Sequence, residues 1–289
     1  MAGIEFAILA AFGAMVCWGF GDFLIQRTTR KVGDIEALAW IGIVGSVGLL
    51  PLVMGELNLL LVWENFWLLF WLGVVTFFVA VLAFEGLKRG KISVVDVVMT
   101  VELPLTIILG IFFFGEALSW IQIALMILIF IGIALIAISP GGFKKRHFLE
   151  KGVLLVAAAA MGMALMNFLT AAGARQASPL LAIWFPWVVY TGISLVYIVA
   201  KKDMGKLRRN AAEFKWLILG MGIFDTLAWL FFATALLENE LSITTAVTES
   251  YPVIAMFLGL WINRERISRH QYWGAAIALT GSVFIGFLV

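Results

Sequence analysis

Glu85-Gly86-Leu87-Lys88-Arg89-Gly90-Lys91-Ile92-Ser93 in the first half of the chain answers to Leu236-Leu237-Glu238-Asn239-Glu240-Leu241-Ser242 in the second, with the two serines 149 residues apart. Lys88, Arg89 and Lys91 make one stretch cationic, while Glu238 and Glu240 make the other anionic. Cationic loops are retained on the cytoplasmic side of a membrane. Two copies of one unit with opposite loop charge are therefore expected to cross the bilayer in opposite orientations. Such an inverted repeat is a construction used by secondary transporters.

The bulk composition requires a membrane. Of 289 residues, 63% are hydrophobic and only 13% charged, more apolar surface than a soluble core absorbs. The net charge of +2 carries no nucleic-acid signature. One cysteine, Cys17, lies in an apolar run, and the histidines His147 and His270 lie in or beside loops. That inventory points to no disulfide framework, no metal site and no cofactor. The first apolar stretch lacks a basic leader and reads as a spanning helix rather than a cleaved signal.

A helix needs about 20 apolar residues to cross the hydrocarbon core. Ten stretches qualify: 4–26, 35–54, 66–87, 92–114, 120–138, 152–174, 179–200, 214–237, 241–262 and 271–289. The expected fold is all-α and polytopic, with ten transmembrane helices as two inverted five-helix repeats around a central cavity. The first repeat covers 1–140, a linker 141–151, and the second repeat 152–289. All 20 Lys and Arg residues except Arg175 fall in or at the edge of the loops after spans 1, 3, 5, 7 and 9. The loops after spans 2, 4 and 8 carry Glu56, Glu64, Glu116, Glu238 and Glu240 without a cation. This bias places the odd-numbered loops in the cytoplasm and both termini outside a multi-pass cell membrane protein. An odd number of spans per half requires the second copy to be inverted, in agreement with the loop charges.

The correspondence between halves continues residue by residue. Asp22-Phe23-Leu24 matches Asn167-Phe168-Leu169, Arg30 matches Arg175, and Pro104 matches Pro252. Gly115-Glu116-Ala117-Leu118-Ser119 matches Arg264-Glu265-Arg266-Ile267-Ser268, and Gln122 matches Gln271. Together with Trp18-Gly19 in the first span, the doubled pattern of Pro, Glu-x-x-Ser and Gln resembles the EamA family of the drug/metabolite transporter superfamily. The resemblance covers essentially the whole chain as two repeats. It implies a basket of helices around a central cavity, with the fifth helix of each repeat packed outside. It also implies carriage of amino acids, sugars or other small polar metabolites, often outward and sometimes with protons.

Five acids lie within apolar spans: Asp22, Asp96, Glu102, Asp225 and Glu249. An acid at mid-bilayer costs roughly 2.5–3.5 kcal/mol, so such groups are expected to face protein or water and to serve a substrate or a proton. Ser93, Asp96 and Thr100 share one face of span 4, and Ser242, Thr245 and Glu249 share the same face of span 9. Glu102 lies on another face, with Thr106 beneath it. Asn167, the counterpart of Asp22, can both donate and accept a hydrogen bond. Pro104 and Pro252 are expected to free carbonyls near Thr100 and Thr248, and interrupted helices at matching positions point to a binding site. Trp18, Trp229 and Tyr251 are candidate walls of a cavity able to stack on a ligand or its ammonium group. Trp184, Phe185, Trp187 and Tyr190 around Pro186 are further candidates for that wall, but Trp184 and Trp187, near the start of their span, read instead as an interfacial belt or plain packing. Glu116 and Glu265 read as structural groups that pair with loop cations. The competing explanation throughout is interhelical hydrogen bonding, which averages about 0.6 kcal/mol per pair.

Together these features describe a secondary transporter, not an enzyme, for a small polar metabolite. An amino acid or related amine is favoured, moved outward by alternating access, with proton coupling as one option, by a monomer or homodimer in the bilayer. A sugar or nucleoside carrier of the same fold is the nearest alternative. Gly19-Phe20-Gly21-Asp22 also formally matches the Gly-x-Gly-Asp element of intramembrane aspartyl proteases, in which Asp22 would pair with Asp96 or Asp225. Such a short motif arises easily by chance. No nucleotide-binding loop is present, so the energy source is expected to be a gradient.

Overall fold

A computed structural model describes residues 2–89, 98–138, 151–262, 264 and 267–288, and every element in them is helical. The elements are α1 (Ala2–Val32), α2 (Asp34–Val53), a short 3-10 turn (Leu57–Leu61), α3 (Trp63–Arg89) and α4 (Glu102–Leu109). The last of these runs into a π-type turn (Gly110–Phe114). Then come α5 (Trp120–Ala137), α6 (Lys151–Gln176), α7 (Pro179–Ala200), α8 (Met204–Ala235), α9 (Leu241–Thr248), α10 (Pro252–Ile262) and α11 (Arg269–Gly286).

Eight segments among the described residues are long and apolar enough to cross a membrane, with α9 and α10 together forming one of them. The expected fourth span lies partly outside the described residues, and its described part includes the apolar stretch Glu102–Phe114. The expected tenth span is helical as α11, with a polar start, Arg269-His270-Gln271, and is not among the eight.

The packing repeats itself when the halves are exchanged. α1 packs on α8 as α6 packs on α3, α2 on α8 as α7 on α3, and α4 on α6 as α9 and α10 on α1. The pairs α2–α7 and α5–α11 map onto themselves. Loops expected on one side of the membrane also meet in space. At the acidic-loop end, Ser178 Oγ donates to Glu56, and Gln176 Nε2 donates to Asn65 Oδ1 at 3.0 Å. At the basic-loop end, Lys206 pairs with Glu36, Asn210 Nδ2 donates to Val32 O at 3.3 Å, and His270 Nε2 meets Ile138 O at 2.8 Å.

The doubled Ser and Gln of the sequence start the fifth helix of each repeat. Gln122 Oε1 accepts from Ser119 N at 2.8 Å, and Gln271 Oε1 accepts from Ser268 N at 2.9 Å. In each case a polar side chain occupies a backbone donor that the first helical turn leaves over. The two helices then lie backbone to backbone. A Cβ added to Gly132 would stand 2.6 Å from Ala278 N and 2.8 Å from Gly274 O. Small residues allow this approach where lipid tails compete equally well for apolar contact.

One expectation needs correction. Residues 201–213 were expected as a loop, but the helix begins at Met204 and bends at Phe214 (φ −122°, ψ 25°). Leu207 and Asn210 are buried on the inner face of this added segment, which gives a basic stretch a reason to be helical. Of the two readings of Trp184 and Trp187, belt or packing, the structure bears out packing. The Trp184 indole donates to Ser46 O on α2 at 2.9 Å, and Trp187 is 3% exposed, inside the largest core cluster.

Candidate substrate site

Spans 4 and 9 both break where the sequence has proline. In span 4, Leu103 N donates to Thr100 O at 3.3 Å, ahead of Pro104. In span 9, Tyr251 N donates to Thr248 O at 3.0 Å, ahead of Pro252. Each proline lacks the N–H that would reach that carbonyl. The preceding residue takes it instead with a tighter i→i+3 bond, turning the chain at Thr100–Val101 and at Glu249–Tyr251. The carbonyls of Thr100 and Thr248 are therefore occupied, not free as the sequence suggested. What the breaks provide is the direction of the side chains beside them.

The carboxylates gather at these breaks. Glu102 begins α4, is 5% exposed, and accepts from Asn167 Nδ2 of α6 at 2.8 Å. The same amide reaches Thr106 Oγ1 at 3.4 Å, one turn below Glu102 as its spacing implied. Across the molecule, Asp22 of α1 is hydrogen-bonded by the Tyr251 hydroxyl in the break of span 9. Asp22 and Asn167 are repeat counterparts, and Tyr251 follows Glu102 by the same 149 residues that separate the serines. One contact is thus made twice, with amide and carboxylate in one copy and carboxylate and phenol in the other. Glu102, Asp225 and Glu249 all lie within electrostatic range of Asp22. Asp22, Glu249 and Tyr251 are partly exposed, whereas Asp225, Asn167 and Thr100 are buried. Asp96 lies outside the described residues.

The aromatic candidates form one cluster beside the acids. Trp18 meets Trp229 edge-on at 4.9 Å and Tyr251 at 6.3 Å. Trp229 in turn meets Trp187 at 5.9 Å, and Trp187 meets Tyr190 at 5.3 Å. Tyr190 stands within electrostatic range of Asp225. Sequence reasoning placed Trp187 and Tyr190 beside Trp18, Trp229 and Tyr251 as candidate walls but set Trp187 aside as belt or packing. A signal was present: Trp187, Tyr190, Thr191 and Ser194 fall at i, i+3, i+4 and i+7, one helical face of span 7.

The Gly-x-Gly before Asp22 has a packing explanation. A Cβ on Gly19 would stand 2.5 Å from Ile254 Cβ, and one on Gly21 would stand 3.6 Å from Asp225 N. These glycines let α1 close onto α10 and α8, which places Asp22 near Asp225.

Thr245 lies apart from the acids' open side. All eight residues of α9 are buried, wedged among α1, α4, α5, α6, α8 and α11. The N-terminus of α9 is held by Glu116, which the sequence suggested would pair with loop cations. Its carboxylate accepts from Leu241 N at 2.5 Å, Ser242 N at 3.0 Å and Ser242 Oγ at 2.5 Å. An anion there meets both the unpaired amides and the positive end of the helix dipole. Gly115, at φ 68°, turns the chain back so that Glu116 can reach. The expected cation is also present, but secondary. Arg175 stands 4.0 Å from Glu116, donates to Leu236 O at 3.0 Å and Asn239 O at 2.9 Å, and covers the Phe114 ring at 4.4 Å. Ala117 N in return hydrogen-bonds Glu240. Burial and the nearby Glu116 charge push the Glu240 carboxyl above its ordinary value, against the Ala117 N–H and Arg175. Glu265 lies outside the described residues.

An inverted bundle with two proline-broken helices meeting over buried polar groups defines a membrane transporter of the drug/metabolite type. The chain belongs to the EamA-like transporter family, matching it twice, over residues 5–138 and 150–287. A solved structure described as "Crystal structure of protein" has the same fold, with a TM-score of 0.78 at 16% identity, covering 98% of this chain and 96% of that one. No curated protein matches the chain.

Proposed function

We propose that the protein is a secondary transporter for a small amine, such as an amino acid, moved outward across the cell membrane by alternating access and coupled to protons. The observation that carries this reading is that Glu102, Asp225 and Glu249 all lie within electrostatic range of Asp22, beside two matched helix breaks. Like charges so close in a low-dielectric interior cannot all stay ionised without a counter-charge. An ammonium group and a proton are the two ligands that relieve them. Exchange between these ligands on a shared set of carboxylates is the simplest form of coupling. Asn167 and Tyr251 each hold one acid in place, leaving the others to meet the ligand. The Trp18–Trp229–Tyr251 cluster supplies ring faces for an ammonium or for an apolar substituent beside it.

The Lys and Arg bias orients the protein with its basic-loop end in the cytoplasm and both termini outside. A monomer contains both repeats and so a complete site, and a homodimer would add nothing to it.

A sugar or nucleoside carrier is the second reading, favoured by the same aromatic rings, which stack equally well on a sugar face or a base. Substrate-induced currents from purified protein in liposomes separate the two. Amines eliciting saturable currents that depend on pH support the proposal. Responses to sugars or nucleosides alone replace it with the second reading.

A further inference from the structure

The helix cap at the acidic-loop end joins the two repeats, because Glu116 follows span 4 of the first while α9 opens span 9 of the second. Its bonds are polar and few, and water can replace every one of them. Beneath it, Thr244 and Thr245 are each 0% exposed, and both hydroxyl oxygens lack a hydrogen-bond partner. A buried hydroxyl without a partner is costly in a packed apolar setting, and two in adjacent positions call for an explanation. The rest of the span differs. Glu249 and Tyr251 in the break are partly exposed, and much of α10 is partly or fully exposed. The span is thus fully buried on the Glu116 side of its break, while the exposure beyond it falls largely on apolar residues such as Phe257 and Trp261, a face suited to lipid.

We infer that Glu116 is the gate residue of the outer end: its hold on α9 closes the pathway outside, and releasing that hold lets water reach Thr244, Thr245 and the acids behind them. The inference rests on the transporter reading above, and on the loop charges for which end is outer. Glu116 touches no substrate in this scheme. It is a positioning residue that sets the balance between inward- and outward-facing forms. Arg175 braces the same closed arrangement by holding the carbonyls of Leu236 and Asn239 and lying beside Glu116. The two unpaired threonine hydroxyls then belong to a helix that is dry in one state of the cycle and wet in the other.

The test uses a reporter at Thr244. Thr244→Cys is made in a Cys17→Ala background, since Cys17 is the one native cysteine. The protein in right-side-out vesicles is challenged with a membrane-impermeant maleimide, with and without Glu116→Ala. Slow labelling in the parent and labelling at least about tenfold faster in Glu116→Ala are expected, the ratio a shift of ~1.4 kcal/mol in the gate equilibrium produces. Glu116→Asp, which keeps a carboxylate on a shorter arm, is expected to restore slow labelling in part. Labelling as slow in Glu116→Ala as in the parent, with the protein still monodisperse and thermally intact, overturns the inference. If Glu116→Ala fails to fold, Arg175→Gln in the same background replaces it under the same criteria. Substrate currents from the parent are recorded in parallel. A parent that carries no substrate refutes the transporter reading, whereas a transporting parent with an unresponsive reporter refutes only the gate.

Discussion

Asn167 Nδ2 of the second repeat donates to Glu102 Oε1 of the first at 2.8 Å, so the carboxylate at one helix break is held by the counterpart of the aspartate at the other. The bond is buried at both ends, with Glu102 5% and Asn167 2% exposed. Removing the amide leaves a buried acid without its donor, which costs about 1–3 kcal/mol. Asn167→Ala is accordingly expected to lower thermal stability by that amount. The double variant Asn167→Ala/Glu102→Ala is expected to lose less than the sum of the single losses. Additive losses in thermal unfolding would show that the bond contributes nothing of its own.

Pro252 ends one half of span 9 and begins the other. Pro252→Ala supplies an N–H able to compete with Tyr251 N for Thr248 O, favouring one continuous helix. Transport is expected to slow by about tenfold, the size of a ~1.4 kcal/mol penalty on reaching the broken geometry. The protein should remain folded. Flux at the parent's rate would mean the break is not used.

Gly132 and Gly274 bring α5 against α11 away from the acids. Gly132→Ala places a methyl within 3 Å of backbone atoms of α11, contacts that a flexible side chain cannot relieve. A loss of about 1–3 kcal/mol of stability is expected, as for overpacking elsewhere. Substrate affinity should be unchanged, since no candidate site residue touches this seam. A change in affinity without a change in stability would contradict the assignment.

Glu240 gives a pH dependence at the acidic-loop end. Its carboxyl is held above the ordinary value of 4.5 by burial and by Glu116, so the folded state binds the proton more tightly than the unfolded chain. The sign follows: this group's stabilisation is present at acid pH and is lost as pH rises through the raised value. Glu240→Gln keeps an acceptor for Ala117 N and removes the charge. Its melting temperature is expected to exceed the parent's at neutral pH and to converge with it below the ordinary carboxylate range. A gap that widens toward acid would reverse the assignment.

The membrane class, the repeat and its inversion were legible in the sequence because they depend on composition and loop charge, which act residue by residue. The prolines announced the two breaks, and the polar residues beside them named most of the acid cluster. Three features were not legible, for one shared reason: each needs two distant segments to meet. Glu116 reads as a loop acid until α9 arrives with unpaired amides, and the helical start of α8 reads as a basic loop until Asn210 finds Val32 O. Trp187 reads equally as belt or packing by its position in the span and is buried because α2 and α8 close over it. The serine and glutamine that begin α5 and α11 were visible as a match, and their spacing was enough to identify them as helix-starting pairs.

The most direct test of the acid cluster is the pH dependence of substrate-induced current, measured on a solid-supported membrane for the parent, Glu102→Gln and Glu249→Gln at equal reconstituted amounts. The proposal expects saturable amine currents in the parent that vary with pH, and a flattened dependence in both variants with folding intact. Amine currents whose pH dependence is the same in all three proteins would contradict it, removing these carboxylates from the coupling.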